Sequence, residues 1–341
     1  MGIREETEVS IKRKSFISVS EDNRLLRYRV TVKIKGILAS LFRFLLLIAI
    51  GYVILYPLLY MISNSVRTGQ SYYDPSITWI TTKVTHTNFL YAIKAMNFGK
   101  AFLNTVFYEL VAAVLQLASC AIVAYGFARF EFKEKKILLA ILFLTILLPT
   151  QATMLPTYVS YSHLDLFGIL GKVYEWTGTD LRPSILNTPF VFYLPAFLGV
   201  GLRSGIVTYI YIQFFKGLPH ELEEAAWIDG CDPIKTFIRI AIPSSTVVIF
   251  TNLIFSVIWH WNDYFSAAMY LKDREHFTLA VQLGELSNSL ELLRFTVKAT
   301  SPETGSILMA GCLLYVLPVL IMYLCLQTKF VKSIDRVGIT G

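Results

Sequence analysis

Long apolar runs separated by short polar links dominate the pattern of this sequence. A helix needs about 20 mostly apolar residues to cross a bilayer, and six runs come close to that length. They are Phe44–Ile62, Thr105–Phe127, Ile137–Tyr158, Phe190–Phe215, Ser244–Trp261 and Ile307–Leu326. Pro149, Pro156 and Pro318 lie inside runs, but membrane helices tolerate proline because neighbouring groups satisfy the freed carbonyl. The pattern therefore predicts an all-α, polytopic membrane protein with six transmembrane helices.

The composition supports this prediction. Of 341 residues, 55% are hydrophobic and 16% are charged, whereas a soluble domain has about 25% charged residues. The formal net charge is +7, but the basic residues are spread among the apolar runs and form no single stripe, so we expect no nucleic-acid partner. The four cysteines have no neighbour at metal-ligand spacing, and we predict neither a metal site nor a disulfide framework.

The basic residues predict the orientation of the spans. Lysine and arginine concentrate before the first run, in the link between the second and third runs, and at the C-terminus. Because cytoplasmic loops carry an excess of these residues, we expect both termini and the link between the fourth and fifth runs in the cytoplasm. The predicted domains are a basic cytoplasmic tail over residues 1–36 and a transmembrane domain over 37–341. The latter includes a cytoplasmic loop at about 216–243 and a C-terminal tail at about 327–341.

The basic head has a second interpretation. Its stretch RYRVTVKIKGILASLFRF mixes basic and apolar residues, which is typical of segments that lie on membrane lipid. A solvated tail that only fixes the topology has the same composition, and this simpler interpretation is favoured.

The link between the fourth and fifth runs carries its own helix signals, in FFKGLPHELEEAAWIDGCDPIKTFIRIAIP. Pro219 suits the first position of a helix, where no amide hydrogen is needed, and Gly230 supplies a left-handed stop. Asp232 and Pro233 suit the cap and first residue of a second helix, which Pro243 ends or kinks. The pattern predicts two short helices joined by a tight turn. It fits both a connector that lies on its own membrane domain and an element that docks another protein.

The same link resembles the EAA loop of ATP-binding-cassette importer permeases. The residues that carry the resemblance are Glu224, Ala225, Ala226, Asp229, Gly230, Phe237, Ile240 and Pro243. In that family the loop is a coupling helix that inserts into a cleft of the ATPase subunit, so the resemblance implies docking and force transfer for these residues. Many members have a second proline four residues after Pro243, where this chain has Val247. This difference bears on the angle at which the fifth span begins.

Further stretches are similar to the carbohydrate branch of that family, the branch of the maltose-transporter-like second permease. They are GLRSGIVTYIYIQFFKGLP, WHWNDYF and the C-terminal LQTKFVKSIDRVGITG. The resemblance runs from about residue 37 to the end, and it explains neither the head nor the stretch Gly171–Ser184. It implies half of a translocation pathway for a mono- or oligosaccharide in a bacterial cytoplasmic membrane.

The sequence lacks the motifs of an ATPase or a metalloenzyme. It has no Gly-x-x-x-x-Gly-Lys-Ser/Thr loop to hold phosphates and no His-Glu-x-x-His motif, and its five histidines are scattered. We therefore expect a transport subunit without enzymatic activity and without a cofactor of its own. The resemblance implies its partners: a second homologous permease, two ATPase subunits that bind ATP and Mg, and an extracellular solute-binding protein.

Polar residues inside membrane spans are costly and usually face a cavity or a partner. Candidates for a substrate pathway or gate are Glu109, Gln116, Gln151, Arg203, Asn252, Trp259, Asn262 and Asp263. Trp259 suits stacking on a sugar ring and also suits the interfacial aromatic belt. Asn262 and Asp263 suit binding of hydroxyls or capping of a helix, and capping or a structural role in the gate is favoured. Arg203 either pairs with Glu109 across the bundle or extends to the outer surface.

Two other functions compete with a carbohydrate importer. The same machinery carries other polar solutes, such as amino acids or peptides. An ion-coupled secondary transporter would need paired acidic residues in the membrane and inverted repeats, and neither is evident in the sequence.

Overall fold

The computed structural model of the chain describes residues 2–72, 83–165, 168–294 and 303–338. Within these ranges the regular secondary structure is helical, apart from one isolated bridge between Arg67 and Val84, so the predicted all-α class is confirmed. The first residue of the predicted basic tail and the last three of the C-terminal tail lie outside the described residues. The chain divides into two compact units, Met1–Tyr60 and Met61–Gly341.

The first unit is formed by helix α1 (Gly2–Ser65) as far as Tyr60. The helix continues without a break past residue 36, where we placed the end of the basic tail. From Val32 onward it is long and apolar enough to cross a membrane. Its large apolar side chains are exposed, for example Leu47 at 68% and Val53 at 69%. Such exposure is expected of a helix in lipid, because lipid tails are as apolar as leucine.

The second unit contains the other helices of the described residues. In chain order they are α2 (Gly69–Tyr72), α3 (Thr87–Ala95), α4 (Phe98–Arg129), α5 (Lys135–Leu147), α6 (Thr150–Ser162), α7 (Ile169–Thr177), α8 (Phe190–Phe197), α9 (Ser204–Gly217), α10 (His220–Ile228), α11 (Pro233–Ser244), α12 (Thr246–Trp261), α13 (Tyr264–Tyr270), α14 (Leu279–Gly284), α15 (Leu286–Arg294) and α16 (Glu303–Gly338). Two of them contain a π-helical turn, α4 at Val106–Leu110 and α11 at Phe237–Ala241.

The helices match the predicted spans to different degrees. Helices α1, α4 and α16 are each long and apolar enough to cross a membrane. The third predicted span is a bent pair, since α5 and α6 meet at 102°. The fifth, Ser244–Trp261, corresponds to α12, which meets α11 of the predicted cytoplasmic loop at 78°. If each pair counts as one span, the described residues hold up to five. The predicted number of six is therefore not confirmed.

Proline, glycine and left-handed residues cause the breaks. Pro149 has no N–H and a fixed φ, and α5 ends two residues before it, after 13 residues that cover about 20 Å. Helices α8 and α9 are separated by residues 198–203, where Gly199 and Arg203 have φ values of 72° and 54°. The run Phe190–Phe215, which we predicted as a span that Arg203 interrupts, therefore forms two helices, because a left-handed residue ends a helix.

Clusters of buried side chains hold the second unit together. The first packs α4 against α9 and α12 around Tyr125, Tyr211 and Phe215. The second packs α4 against α8 and α13 around Tyr161 and Phe192. The third joins α3, α14, α15 and α16. Helix α4 contributes to all of these clusters, so it is the central helix of the unit.

The stretch Gly171–Ser184, which the family resemblance does not cover, is a folded element. It forms most of α7, which Gly178 ends in the left-handed conformation with a φ of 72°. Beyond it, Asp180 accepts hydrogen bonds from Nε and Nη2 of Arg182, both at 2.8 Å. These side-chain hydrogen bonds lower the pKa of Asp180 to about 2.

Candidate functional site

The predicted coupling loop forms two short helices, α10 and α11, joined at Gly230. Gly230 has a φ of 80°, a left-handed conformation that glycine adopts without steric cost. The amide of Cys231 donates to the carbonyl of Ala226 at 2.9 Å, and the amide of Gly230 donates to that of Trp227 at 3.0 Å. These two bonds form a Schellman motif, which satisfies the last carbonyls of α10. The predicted glycine stop is therefore present.

Asp232 caps α11 as predicted, and Pro233 is the first residue of that helix. Oδ1 of Asp232 accepts from the backbone N–H of Lys235 at 2.7 Å, and Oδ2 of Asp232 lies 3.2 Å from Nζ of Lys235. The backbone hydrogen bond is the main cause that lowers the pKa of Asp232. At the other helix, Pro219 occupies the cap position of α10, one residue before the predicted position.

Helix α10 has one face turned to its own chain and one turned outward. Glu223 and Ala226 are buried, with 1% and 6% of their surface exposed. Glu224, Ala225 and Ile228 are exposed, Ile228 at 87%. Since residues three and four apart share a helix face, these three lie together, with the small alanine between an acidic and an apolar side chain. The outward face therefore leaves room for the close approach of another protein.

The structure divides the residues of the EAA resemblance between two environments. Five are exposed: Glu224, Ala225, Asp229, Gly230 and Pro243. Phe237 and Ile240 are partly buried, and Ala226 is buried. We had expected Ala225 and Ala226 to share a docking surface. They do not share one in this structure, because the face of α10 that carries Ala226 packs on the chain itself. Phe237 has a ring centroid 4.9 Å from that of Tyr125, so it fixes α11 to the end of α4.

Arg129, the last residue of α4, holds α10 in place. Its Nε lies 2.9 Å from Oε1 of Glu223, and the two side chains are 3% and 1% exposed. Its Nη2 donates to the carbonyl of Leu218 at 2.8 Å, and its Nη1 lies 3.1 Å from Nε2 of His220. Arg129 entered the prediction of orientation only as one of the basic residues between the second and third runs. The pair with Glu223 was not predicted, because 94 positions separate the two residues.

Gln116, a candidate for the pathway, joins three helices. Its Nε2 donates to the carbonyl of Leu202 at 2.5 Å and to Oγ of Ser204 at 2.8 Å. Ser256 donates to its Oε1 at 2.6 Å. Because Gln116 is fully buried, these bonds serve the packing of α4, α9 and α12. Asn252 is also fully buried, on α12.

Glu109 lies in the π-helical turn of α4 and pairs with His260. Its Oε2 is 3.2 Å from Nδ1 of His260, and both residues are buried. Of the two alternatives for Arg203, the pair with Glu109 is not formed. The left-handed Arg203 begins α9 and places its guanidinium 5.1 Å from the ring centroid of Trp259. His260 was not among the predicted site residues, because a single histidine on an apolar helix gives no signal of its partner.

The end of α12 confirms the predicted capping. Oδ1 of Asp263 accepts from the amide of Ser266 at 3.1 Å and so caps α13. Nδ2 of Asn262 donates to the carbonyl of Ile258 at 2.8 Å, and its Oδ1 accepts from the hydroxyl of Tyr315 at 3.0 Å. Asn262 thus joins the end of α12 to α16.

An exposed aromatic and cationic group lies near these caps. Trp259 stacks on Phe255 with ring centroids 5.6 Å apart, and Arg203 lies over Trp259. Arg203 and Phe255 are exposed, Phe255 at 41%, as is Gln151 on α6. Planar rings and a guanidinium offer stacking and several hydrogen-bond donors. Whether these residues line a substrate pathway stays a prediction.

The sequence of this chain matches a known protein family and several of its relatives. Residues 118–336 match the sequence profile of the family described as binding-protein-dependent transport system inner membrane component. The chain is 26% identical over 300 residues to a probable ABC transporter permease, YurM of Bacillus subtilis, which covers 88% of this chain and 87% of that protein. It is 25% identical to the arabinooligosaccharide permease AraQ of Halalkalibacterium halodurans, over 86% of this chain and 93% of that protein.

The fold is also found in a solved structure. A chain in the crystal structure of a bacterial ABC transporter involved in the import of the acidic polysaccharide alginate has a TM-score of 0.67 with this chain. The two are 20% identical, and the match covers 87% of this chain and 97% of that one. At this identity the likeness establishes the fold.

Proposed function

The chain belongs to the family of binding-protein-dependent transport system inner membrane components, and from this premise we propose that it is a permease subunit of a carbohydrate importer. It would form half of the translocation pathway. The substrate class is supported by relatives whose names specify arabinooligosaccharides, trehalose and maltodextrin.

The outward face of α10 is the observation that carries this proposal. Ile228 is 87% exposed and Trp227 is 49% exposed, although both are large and apolar. A helix of nine residues is too short to be stable alone in water, and the inward face of α10 is fixed by Arg129. The exposed face therefore suits docking of a partner, which we propose to be one of two ATPase subunits that bind ATP and Mg. This subunit itself would have no enzymatic activity and no cofactor.

The remaining partners and the orientation belong to the same proposal. A second homologous permease would complete the pathway, and an extracellular solute-binding protein would deliver the sugar. A solved transporter of the same fold contains an oligosaccharide-bound periplasmic protein, which supports this arrangement. Both termini and the coupling loop would then lie on the cytoplasmic side of a bacterial inner membrane, as the excess of basic residues predicts.

A charge reversal on α10 tests the docking. The chain is expressed with its partner permease, ATPases and solute-binding protein, and ATPase co-purification and ATP-dependent uptake of labelled sugars are measured. Glu224→Lys should release the ATPase and abolish uptake. Glu134→Lys is the matched control, because Glu134 is also exposed but lies on the link between α4 and α5.

The same assay separates the competing functions. ATP-dependent uptake of amino acids or peptides, with none of sugars, would contradict the substrate class. Uptake that continues with inactive ATPase subunits and an ion gradient would favour a secondary transporter. Wild-type co-purification and uptake by Glu224→Lys would contradict the docking.

A further inference from the structure

A small cavity lies among α6, α8 and the segment that joins α12 to α13. Its volume is about 130 Å³, which corresponds to about four water molecules. One wall is formed by the hydroxyl-bearing residues of α6, namely Thr150, Thr153, Thr157 and Tyr161. They follow one another at intervals of three or four positions, so they share one face of the helix.

Polar side chains of a second part of the chain also line the cavity, namely His260, Asp263, Ser266 and Tyr270. Nδ1 of His260 contacts Glu109, but its Nε2 has no hydrogen-bond partner among the residues that the structure describes. Only 3% of the surface of His260 is exposed. A polar atom buried this deeply costs free energy unless a ligand or water binds it.

The third wall is apolar and comes from Val191, Phe192 and Pro195 of α8. Mixed walls of this kind, with convergent polar groups beside an aromatic ring, are typical of small-molecule sites. Serine, threonine and tyrosine hydroxyls each donate and accept hydrogen bonds. The hydroxyls of a sugar do the same, so the two sets of groups are complementary.

We propose that this cavity binds the hydroxylated edge of one neutral sugar ring, an inference that rests on the proposed carbohydrate transport. The volume admits part of a ring, and the rest would extend towards the open side. Each polar wall offers several hydrogen-bonding groups to neighbouring sugar hydroxyls. Nε2 of His260, which is buried and has no partner among the described residues, supplies the deepest of these contacts.

The charges around the cavity favour a neutral ring over an acidic one. Its lining includes the acidic side chain of Asp263 but no lysine or arginine, and Nδ1 of His260 faces Glu109 at 3.2 Å. The carboxyl group of an acidic sugar or an amino acid would therefore lie beside Asp263, with no lysine or arginine among the lining residues to bind it. Alginate, the cargo of the transporter with the same fold, is acidic, so its fragments are discriminating probes.

Two threonine variants test this subsite. Thr153→Val and Thr157→Val keep the shape of the side chain and remove one cavity hydroxyl each. Thr145→Val is the matched control. Thr153 and Thr145 both donate to a carbonyl three positions earlier, at 3.0 and 2.7 Å, but Thr145 lies on α5, away from the cavity. The complete importer is prepared in nanodiscs without its solute-binding protein, and binding of labelled trehalose, maltotriose, raffinose and an alginate trisaccharide is measured.

At least one neutral sugar should bind, and each cavity variant should lower its affinity about fivefold, the equivalent of the about 1 kcal/mol of one hydrogen bond. The control should bind as the wild type does, and the alginate trisaccharide should bind weakly. Unchanged affinity in both cavity variants, an equal loss in the control, or preferred binding of the alginate trisaccharide would overturn the subsite. Sugar uptake by the wild-type importer, measured with its solute-binding protein present, distinguishes this result from failure of the proposed function. If only the subsite is wrong, the importer still carries sugar. If the proposed function is wrong, it carries no sugar at all.

Discussion

Nε of Arg129 and Oε1 of Glu223 form a buried ion pair at 2.9 Å between the end of α4 and the inward face of α10. Removing one partner of a buried pair leaves an uncompensated charge, and such changes typically cost about 3–5 kcal/mol. The pair therefore fixes the coupling helix to the central helix of the unit. A displacement of α10 by a docked partner would be passed to α4 through this contact.

Replacing Glu223 by Gln should uncouple transport from ATP hydrolysis without releasing the ATPase. The outward face of α10 stays intact in this variant, so the ATPase should still co-purify. The weakened inward contact should lower sugar uptake and the stimulation of ATP hydrolysis by the loaded solute-binding protein. Both are measured in the assembled importer.

An exposed ion pair serves as the control for this prediction. Glu131 lies 2.7 Å from Lys135 and its side chain is 89% exposed, and exposed pairs contribute little because water screens them. Glu131→Gln should behave as the wild type does. If Glu223→Gln also retains full uptake and stimulation, the buried pair has no role in coupling.

Replacing Gly230 by Ala should weaken the turn between α10 and α11. A Cβ at this position would meet no atom within 4 Å, so the cost comes from the left-handed backbone alone, about 1–2 kcal/mol. Gly230→Asn should be milder, because asparagine tolerates this conformation. We expect ATPase co-purification and sugar uptake to decrease from the wild type to Gly230→Asn, and further to Gly230→Ala.

Gly217→Ala is the control for Gly230, because its Cβ would also meet open space but its backbone is not left-handed. This variant should retain wild-type co-purification and uptake. Equal behaviour of the two alanine variants would show that the left-handed turn does not matter for docking.

The local features of this loop could be predicted because their signals are local. Asp232 caps α11 through an amide three positions away, and the amides of Gly230 and Cys231 close the turn on carbonyls three and five positions earlier. Such contacts depend on a few adjacent residues, whose types are visible in the sequence. The family resemblance then added the docking role, which geometry alone had left open.

The long-range contacts could not be predicted in this way. Apolar periodicity shows that Glu109 and His260 lie in spans, but it does not show that residues 151 positions apart meet. The break between α8 and α9 did have a signal, since glycines at 199, 201 and 205 follow one another closely. We interpreted the run as one span that Arg203 interrupts, and the glycines are the further signal that it forms two helices.

The cap of α11 should resist pH changes over the physiological range. A carboxylate whose pKa is lowered by folding contributes stability above its ordinary pKa and loses that contribution as the pH falls through the lowered value. Because hydrogen bonds from Lys235 lower the pKa of Asp232, the cap should be intact at every pH above about 4. Hydrogen exchange of the Lys235 amide, corrected for its intrinsic rate, should show constant protection between pH 8 and pH 5.

Asp232→Ala should remove this protection at all pH values, because no carboxylate remains to accept from the amide. Asp229→Ala changes a neighbouring carboxylate that does not cap α11 and should leave the exchange unchanged. A loss of protection in the wild type already between pH 7 and pH 5 would contradict the lowered pKa.

Replacing Gln116 by Leu should destabilise the unit, because this one side chain joins α4, α9 and α12. The variant leaves the hydroxyls of Ser204 and Ser256 and the carbonyl of Leu202 without their partner, and each buried unsatisfied group costs about 1–3 kcal/mol. Gln151→Leu is the control, since Gln151 is exposed and surface changes rarely exceed about 0.5 kcal/mol. Thermal unfolding of the purified importer should show a lower midpoint for Gln116→Leu alone. Equal midpoints for the two variants would mean that α12 is held to α4 by apolar packing, and that the polar contacts of Gln116 are available for a substrate after all.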